Sequence, residues 1–126
     1  MTGTAIRSEY AVAPQPGAED FRSFAHRELA LIKPWRHGIC FLPECGRQFV
    51  PAREWQIYCC DACKNAGTAE LRKWGHKMAL SALVWRMGKY EAENEALRDL
   101  TRAARRHVTH VQSAWLIDRR RRAGEG

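Results

Sequence analysis

The 126-residue chain contains no uninterrupted apolar run of the roughly 18 residues that a membrane-spanning helix requires. Its first residues, MTGTAIRSEYAVAPQPG, lack an apolar block behind a basic start. No secretory signal is therefore expected, and the expected compartment is the reducing cytoplasm, where thiols persist free or metal-bound. No internal repeat is present. Acidic residues are in deficit, 14 Asp and Glu against 21 Lys and Arg, for a net charge of +7. The deficit is local. Residues 1–63 carry seven of each sign, whereas residues 64–126 carry fourteen basic against seven acidic residues. A one-sided basic half implies an anionic partner, either nucleic acid or an acidic protein surface. No histidine and carboxylate are placed to activate a thiol, and no acid/base pair stands out, so neither an enzyme nor a small-molecule substrate is expected.

Cysteine is missing from residues 1–39 and from residues 64–126. All five thiols lie in ICFLPECGRQFVPAREWQIYCCDACKNAG, residues 39–67, as Cys40, Cys45, Cys59, Cys60 and Cys63. The spacing is C-x4-C, thirteen residues, then C-C-x-x-C. Two close pairs separated by a dozen or more residues suit a four-thiolate zinc site, in which each tight turn aims two sulfurs at one point. A disulfide framework is disfavoured by the odd count and the expected compartment. An iron–sulfur cluster also uses four thiolates, but the paired spacing and the knuckle glycine Gly46 favour zinc. Cys40 and Cys45 form the first pair. The second is Cys59 with Cys63 at i, i+4 or Cys60 with Cys63 at i, i+3, and either places both sulfurs on one side of a first helical turn. His37 could replace a thiolate but is expected at the surface. A site closed by four protein ligands holds a structural ion, one Zn2+ per chain.

Around the cysteines the pattern is mixed. Residues 1–18 have no periodicity and are expected to form a mobile tail. In EDFRSFAHRELALIKP the apolar residues Phe21, Phe24, Ala25, Leu29 and Ile32 fall at helical spacing, with Asp20 as N-cap and Pro34 as terminator. RQFV and WQIY, joined by PARE, are predicted to be two short strands of a hairpin. From Asp61 the period becomes helical, through Leu71, Trp74, Met78, Ala82 and Trp85. Gly75 and Gly88 each cost about 1 kcal/mol in a helix interior, and a break is predicted at Gly88. A last helix is predicted over about Tyr90 to Arg121, on the series Tyr90, Leu97, Leu100, Ala104, Val108, Val111 and Trp115. Its phase shifts between Leu97 and Leu100, and it suits a coiled coil or a helix packed on its own domain. Trp115 is expected to project from a polar tail.

The residues C-x4-C-G-x-x-F-x-P and Y-C-C-D-A-C-K-N-A resemble the short four-cysteine zinc fingers of bacterial and phage proteins, the CGNR-type zinc finger among them. The likeness covers residues 39–66. It implies Cys40, Cys45, Cys59 and Cys63 as ligands, leaving Cys60 as a spare thiol where that family usually has Ser. Lys64 and Ala66 replace the Gly and Arg of the family's name motif. The fold expected is α+β and mostly helical. A small treble-clef-like zinc module with a β-hairpin would be flanked by an N-terminal helix and long C-terminal helices. The expected organisation is a tail (1–18), a zinc module with flanking helices (19–75) and a helical basic region (76–126).

For an anionic partner the candidate contacts are Arg47 and Arg53 on the hairpin, Lys64, Arg72, Lys73 and Lys77 on the following helix, and the run Arg119, Arg120, Arg121 and Arg122. Arg102, Arg105, Arg106, His107 and His110 add a basic face to the last helix, and Asn65 could read an adenine edge. The expected function is that of a non-enzymatic regulator that binds DNA or joins a transcription complex, its zinc orienting basic helices toward phosphate. The alternative is a protein–protein adaptor or oligomerisation module that docks through the C-terminal amphipathic helix.

Overall fold

The computed structural model describes Asp20, Phe24 and residues 36–125. The expected tail, and all but these first two positions of the expected N-terminal helix, lie outside the described residues. At those positions the Phe24 N–H donates to the Asp20 carbonyl at 3.0 Å, one helical turn. Two long helices are the regular elements: α1 (Asp61–Gly88) and α2 (Glu95–Arg122). Among the described residues no helix is long and apolar enough to cross a membrane.

The predicted hairpin does not form. Among the described residues there is no β-strand, only a single antiparallel bridge between Ile39 and Gln48, so an α+β treble clef does not fit. The backbone accounting explains why. Residues 47–49 pair with 38–40 rather than with 55–58. The Cys40 N–H donates to the Arg47 carbonyl at 2.8 Å, and the Phe49 N–H donates to the Gly38 carbonyl at 2.9 Å. Pro51 then has no N–H with which to extend a ladder, and Val50 is left 93% exposed. WQIY contributes one bond, from the Phe41 N–H to the Ile57 carbonyl at 2.7 Å. Of the apolar residues of 47–58, Phe49, Ile57 and Tyr58 turn into a small core without forming strands, while Val50 and Trp55 are exposed. Gly38 and Gly46 adopt φ of 80° and 58°, a conformation that side-chain-bearing residues rarely take.

The described residues form two compact units, one spanning Lys73–Trp115 and the other holding 36–72 together with 116–125. Each helix contributes to both. In the cysteine-bearing unit, Cys40, Phe41, Leu42 and Tyr58 are buried, and Cys45, Phe49, Ile57, Cys59, Cys63 and Leu71 pack against them. The Phe41 and Tyr58 rings meet edge to face at 6.0 Å and 72°. Helix α1 starts where the Cys60 carbonyl accepts from the Lys64 N–H at 3.0 Å, which makes Cys60 its N-cap. Asp61 in the first turn complements the helix dipole. Gly67 sits on the buried side of α1 because Tyr58 lies across it.

In the other unit α1 runs through Gly75 unbroken and ends at Gly88, as the sequence suggests. Helix α2 begins at Glu95, not Tyr90. Asn94, which the apolar series passed over, is its N-cap. The Asn94 Oδ1 accepts from the Leu97 N–H at 3.0 Å, and its carbonyl accepts from the Arg98 N–H at 3.0 Å. The buried residues of α2 are Thr101, Ala104, Val108 and Val111, so Thr101 replaces Leu100 in the stripe and resolves the phase shift. A Cβ on Gly88 would stand 1.8 Å from the Thr101 Oγ1; that close approach turns Thr101 inward and Leu100 outward. Trp115 does not project. It stacks on the buried Trp74 with ring centres 6.1 Å apart and planes 5° from parallel.

Gly67→Ala tests this packing. A Cβ there would lie 2.1 Å from the Tyr58 hydroxyl oxygen and 2.2 Å from two ring carbons, and the ring that must shift is buried. Overpacking costs about 1–3 kcal/mol, against a gain of about 1 kcal/mol in helix propensity. Urea unfolding is expected to show a lower midpoint than the parent chain, whereas the same change at the open position Gly75 raises it.

Candidate metal centre

The first pair of thiols comes from the irregular segment and the second from the start of α1. The Cys45 and Gly46 N–H groups both donate to the Leu42 carbonyl at 3.0 Å, closing a tight turn that carries Cys45 back toward Cys40. The 38–40 to 47–49 pairing fixes the other side of that turn. The Cys59 N–H donates to the Cys40 Sγ at 3.4 Å, tying the two pairs together across the intervening residues.

The outcome is a cluster of four sulfurs. The Sγ atoms of Cys40, Cys45, Cys59 and Cys63 all lie within 4.8 Å of one another. Cys45 to Cys59 is 3.7 Å and Cys59 to Cys63 is 3.7 Å. A tetrahedral ion with metal–sulfur bonds of about 2.3 Å needs sulfurs about 3.8 Å apart, so the donor set fits a metal ion. All five cysteines are free thiols. Among the described residues no other group of three or more His, Cys, Asp or Glu side chains is arranged to hold one. His37 is exposed and outside the cluster, as are His107 and His110.

The electrostatics have named causes. A backbone hydrogen bond from Arg47 holds the Cys45 thiol below its usual pKa, as expected of a knuckle that presents N–H groups to sulfur. Burial pushes Cys59 up to about 11, and the adjoining Cys45 thiol adds to the effect. Burial, then its neighbour Cys59, pushes Cys63 up as well. Four crowded thiols resist carrying four negative charges by themselves, and a cation at their centre relieves that repulsion by replacing the protons. Cys60 lies outside the four, exposed, with its sulfur 3.8 Å from that of Cys59.

The basic residues separate into two groups. Arg119 is drawn inward, with its guanidinium on the Glu70 carboxylate at 2.6 Å. It also donates to the Phe41 carbonyl and lies 4.0 Å over the Phe41 ring. The side chains of this pair are only 11% and 3% exposed. Arg122 reaches Glu44 at 2.8 Å, Asp118 at 3.1 Å and Glu70 at 3.2 Å. Arg121 pairs with Asp118 at 2.9 Å. Burial works against ionisation of Asp118, but the Arg122 and Arg121 guanidiniums outweigh it and hold the carboxyl below its ordinary range. Of the run 119–122, Arg120 alone makes no ion pair among the described residues. Arg47, Arg53, Lys64 and Arg72 are exposed and likewise unpaired among the described residues. Lys73 and Lys77 are exposed, with ammonium groups 5.3 and 4.7 Å from the Trp74 ring centre. Asn65 is exposed.

Sequence reasoning missed Glu70. The signal was present, because Glu70 is the single acidic residue between positions 62 and 90 and continues the stripe Cys63, Gly67, Glu70, Trp74 at steps of four, three and four. It missed Tyr58 as well. That hydroxyl is buried without a hydrogen-bond partner among the described residues. Its pKa is pushed up to about 12 by burial and then by the Glu70 carboxylate.

No family model matches the chain, and no curated protein or solved structure is found similar to it. The likeness to the CGNR-type finger therefore rests on the cysteine spacing, and what the structure supports is the four-cysteine cluster itself.

Two outcomes follow for variants. Chain carrying Cys60→Ser is expected to retain a full equivalent of zinc after gel filtration, whereas Cys45→Ser and Cys63→Ser lose it; equal retention by all three removes the cluster as a metal site. Arg119→Ala removes the 2.6 Å partner of the buried Glu70 carboxylate and keeps Arg122 at 3.2 Å. Breaking a buried pair costs about 3–5 kcal/mol, and the loss in unfolding free energy should fall at the low end of that range.

Proposed function

We propose that the chain is a zinc-stabilised, non-enzymatic regulator that binds DNA through its exposed cations. The observation that carries the reading is the convergence of Cys40, Cys45, Cys59 and Cys63 within 4.8 Å. Thiolates at tetrahedral spacing select zinc among the common cellular divalent ions. Four protein ligands close the coordination shell, so the ion's role is to hold residues 36–63 and the start of α1 in place. The DNA component is supported by charge. Arg47, Arg53, Lys64 and Arg72 stand exposed on the cysteine-bearing unit, free of ion pairs among the described residues, in a chain of net charge +7. These cations, with Arg120, carry the phosphate contacts, while Arg119 and Arg122 act within the fold.

A second reading, a protein adaptor, is favoured by one specific feature of the other unit. Leu80, Leu83 and Leu100 are more than half exposed, and Leu80 and Leu100 border an open groove with Val84, Ala103, Ala104 and His107. Exposed apolar residues in such a cluster mark association surfaces.

The two readings separate in one experiment. Zinc-loaded chain is titrated with random-sequence duplex DNA across a salt series. Each phosphate neutralised contributes about 0.9 to the slope of log affinity against log salt, and Arg47→Ala with Arg53→Ala should lower that slope at every duplex sequence tried. Absence of binding at low salt, together with concentration-dependent self-association that Leu80→Glu abolishes, would replace the DNA reading with the adaptor.

A further inference from the structure

The fifth cysteine has a place the four-ligand site does not explain. Cys60 is the N-cap of α1, its carbonyl taking the first intrahelical hydrogen bond from Lys64. An N-cap side chain ordinarily reaches back over the backbone N–H groups at the second and third helical positions. The Cys60 thiol is exposed and lies 3.8 Å from the Cys59 sulfur, at the solvent side of the cluster.

Resting on the metal reading above, we propose that Cys60 is a redox-sensing thiol that pairs with Cys63 under hydroperoxide and so removes a ligand from the metal site. Helical separation by three residues puts the two Cα atoms about 5 Å apart, inside the roughly 4.4–6.8 Å range that a disulfide spans. Cys59, although near, adjoins Cys60 in sequence, and a bond between neighbours would close an eight-membered ring around a distorted peptide. Exposure makes Cys60 the sulfur that peroxide meets first, since it is the one thiol of the five with an exposed residue and no place in the four-sulfur cluster.

The chemistry balances with peroxide as the oxidant. The Cys60 sulfur attacks one peroxide oxygen, the O–O bond breaks, and the other oxygen leaves as hydroxide and is protonated to water. The sulfenic acid formed on Cys60 is then attacked by the Cys63 sulfur. The S–O bond breaks, the S–S bond forms and a second water departs. The two sulfurs lose two electrons and one peroxide becomes two waters, the protons coming from the Cys60 thiol and from the Cys63 thiol in the metal-free chain or from solvent where Cys63 is a ligand thiolate. Cys63 no longer offers a thiolate, the donor set falls from four to three, and the ion held by Cys40, Cys45 and Cys59 is exposed to competing ligands. A dithiol reverses the change by thiol–disulfide exchange.

The test begins by measuring zinc in the full-length chain, then adds hydrogen peroxide in the presence of a chromogenic zinc chelator. The parent chain is expected to release its zinc in a fast phase, to show a Cys60–Cys63 linkage on peptide mapping, and to recover zinc binding after dithiothreitol. Cys60→Ser, which keeps a good N-cap, is expected to start with the same zinc content and to lose the fast phase. Metal-free reduced chain treated in parallel is expected to give the same linkage, so a chain that carries no zinc at the outset defeats the metal reading while the thiol pairing is still read out. Release from Cys60→Ser at the parental rate overturns the proposal. So does a mapped linkage that joins Cys63 to Cys40, Cys45 or Cys59, or a Cys60 oxidised to the sulfinic acid while Cys63 remains a thiol.

Discussion

Residues 36–60 have almost no regular hydrogen bonding of their own, and four sulfurs from both ends of this segment and the turn that follows it meet at one place. That convergence is the constraint from which the rest of the cysteine-bearing unit is organised. A small apolar cluster and a handful of single backbone bonds hold the segment, and no described side chain is less than 2% exposed. An interior so thin contributes little by burial alone, which is the circumstance in which small domains depend on a staple. The thiol environments point the same way, since burial opposes ionisation of Cys59 and Cys63 while the Arg47 N–H favours the charge on Cys45.

Helix α1 connects this centre to the charge distribution. Its first turn delivers Cys63, and one turn later Gly67 admits the Tyr58 ring. Glu70 follows on the same side and captures Arg119 and Arg122 from the last turns of α2. The guanidinium of Arg119 closes the circuit by sitting over Phe41, the residue beside Cys40. The densest basic run in the chain is thus largely committed to internal ion pairs. Its terminus is finished by backbone bonds from Gly124 to the Arg121 carbonyl and from Glu125 to the Arg120 carbonyl, a C-terminal arrangement that Gly124, at φ 82°, makes possible.

Much of this was legible in the residue order. Paired cysteine spacing located the sulfur cluster, and Gly88 located the end of α1. The hairpin was not legible, because short apolar clusters do not report which backbone groups pair: 47–49 bond to 38–40 and not to 55–58, and Pro51 has no N–H with which to extend that pairing. The start of α2 lies beyond Tyr90 because Asn94, which an apolar series passes over, caps the helix. Leu100 was placed inside because apolarity outweighed the space that Gly88 opens for Thr101. The fate of Arg119 and Arg122 was hidden for a different reason. Their partners Glu70 and Glu44 lie about 50 and 80 positions away, and local charge counting has no access to contacts of that range.

The absence of a ladder in the cysteine-bearing segment has a consequence for behaviour in a crowded solution. A hairpin there would have presented open edges, each a row of unused N–H and C=O groups on which a second chain could add its own strand. The turns around the sulfurs offer single, discontinuous bonds pointing in different directions. A segment as apolar as ICFLPECGRQFV can therefore sit near the surface without serving as a template for sheet growth between molecules.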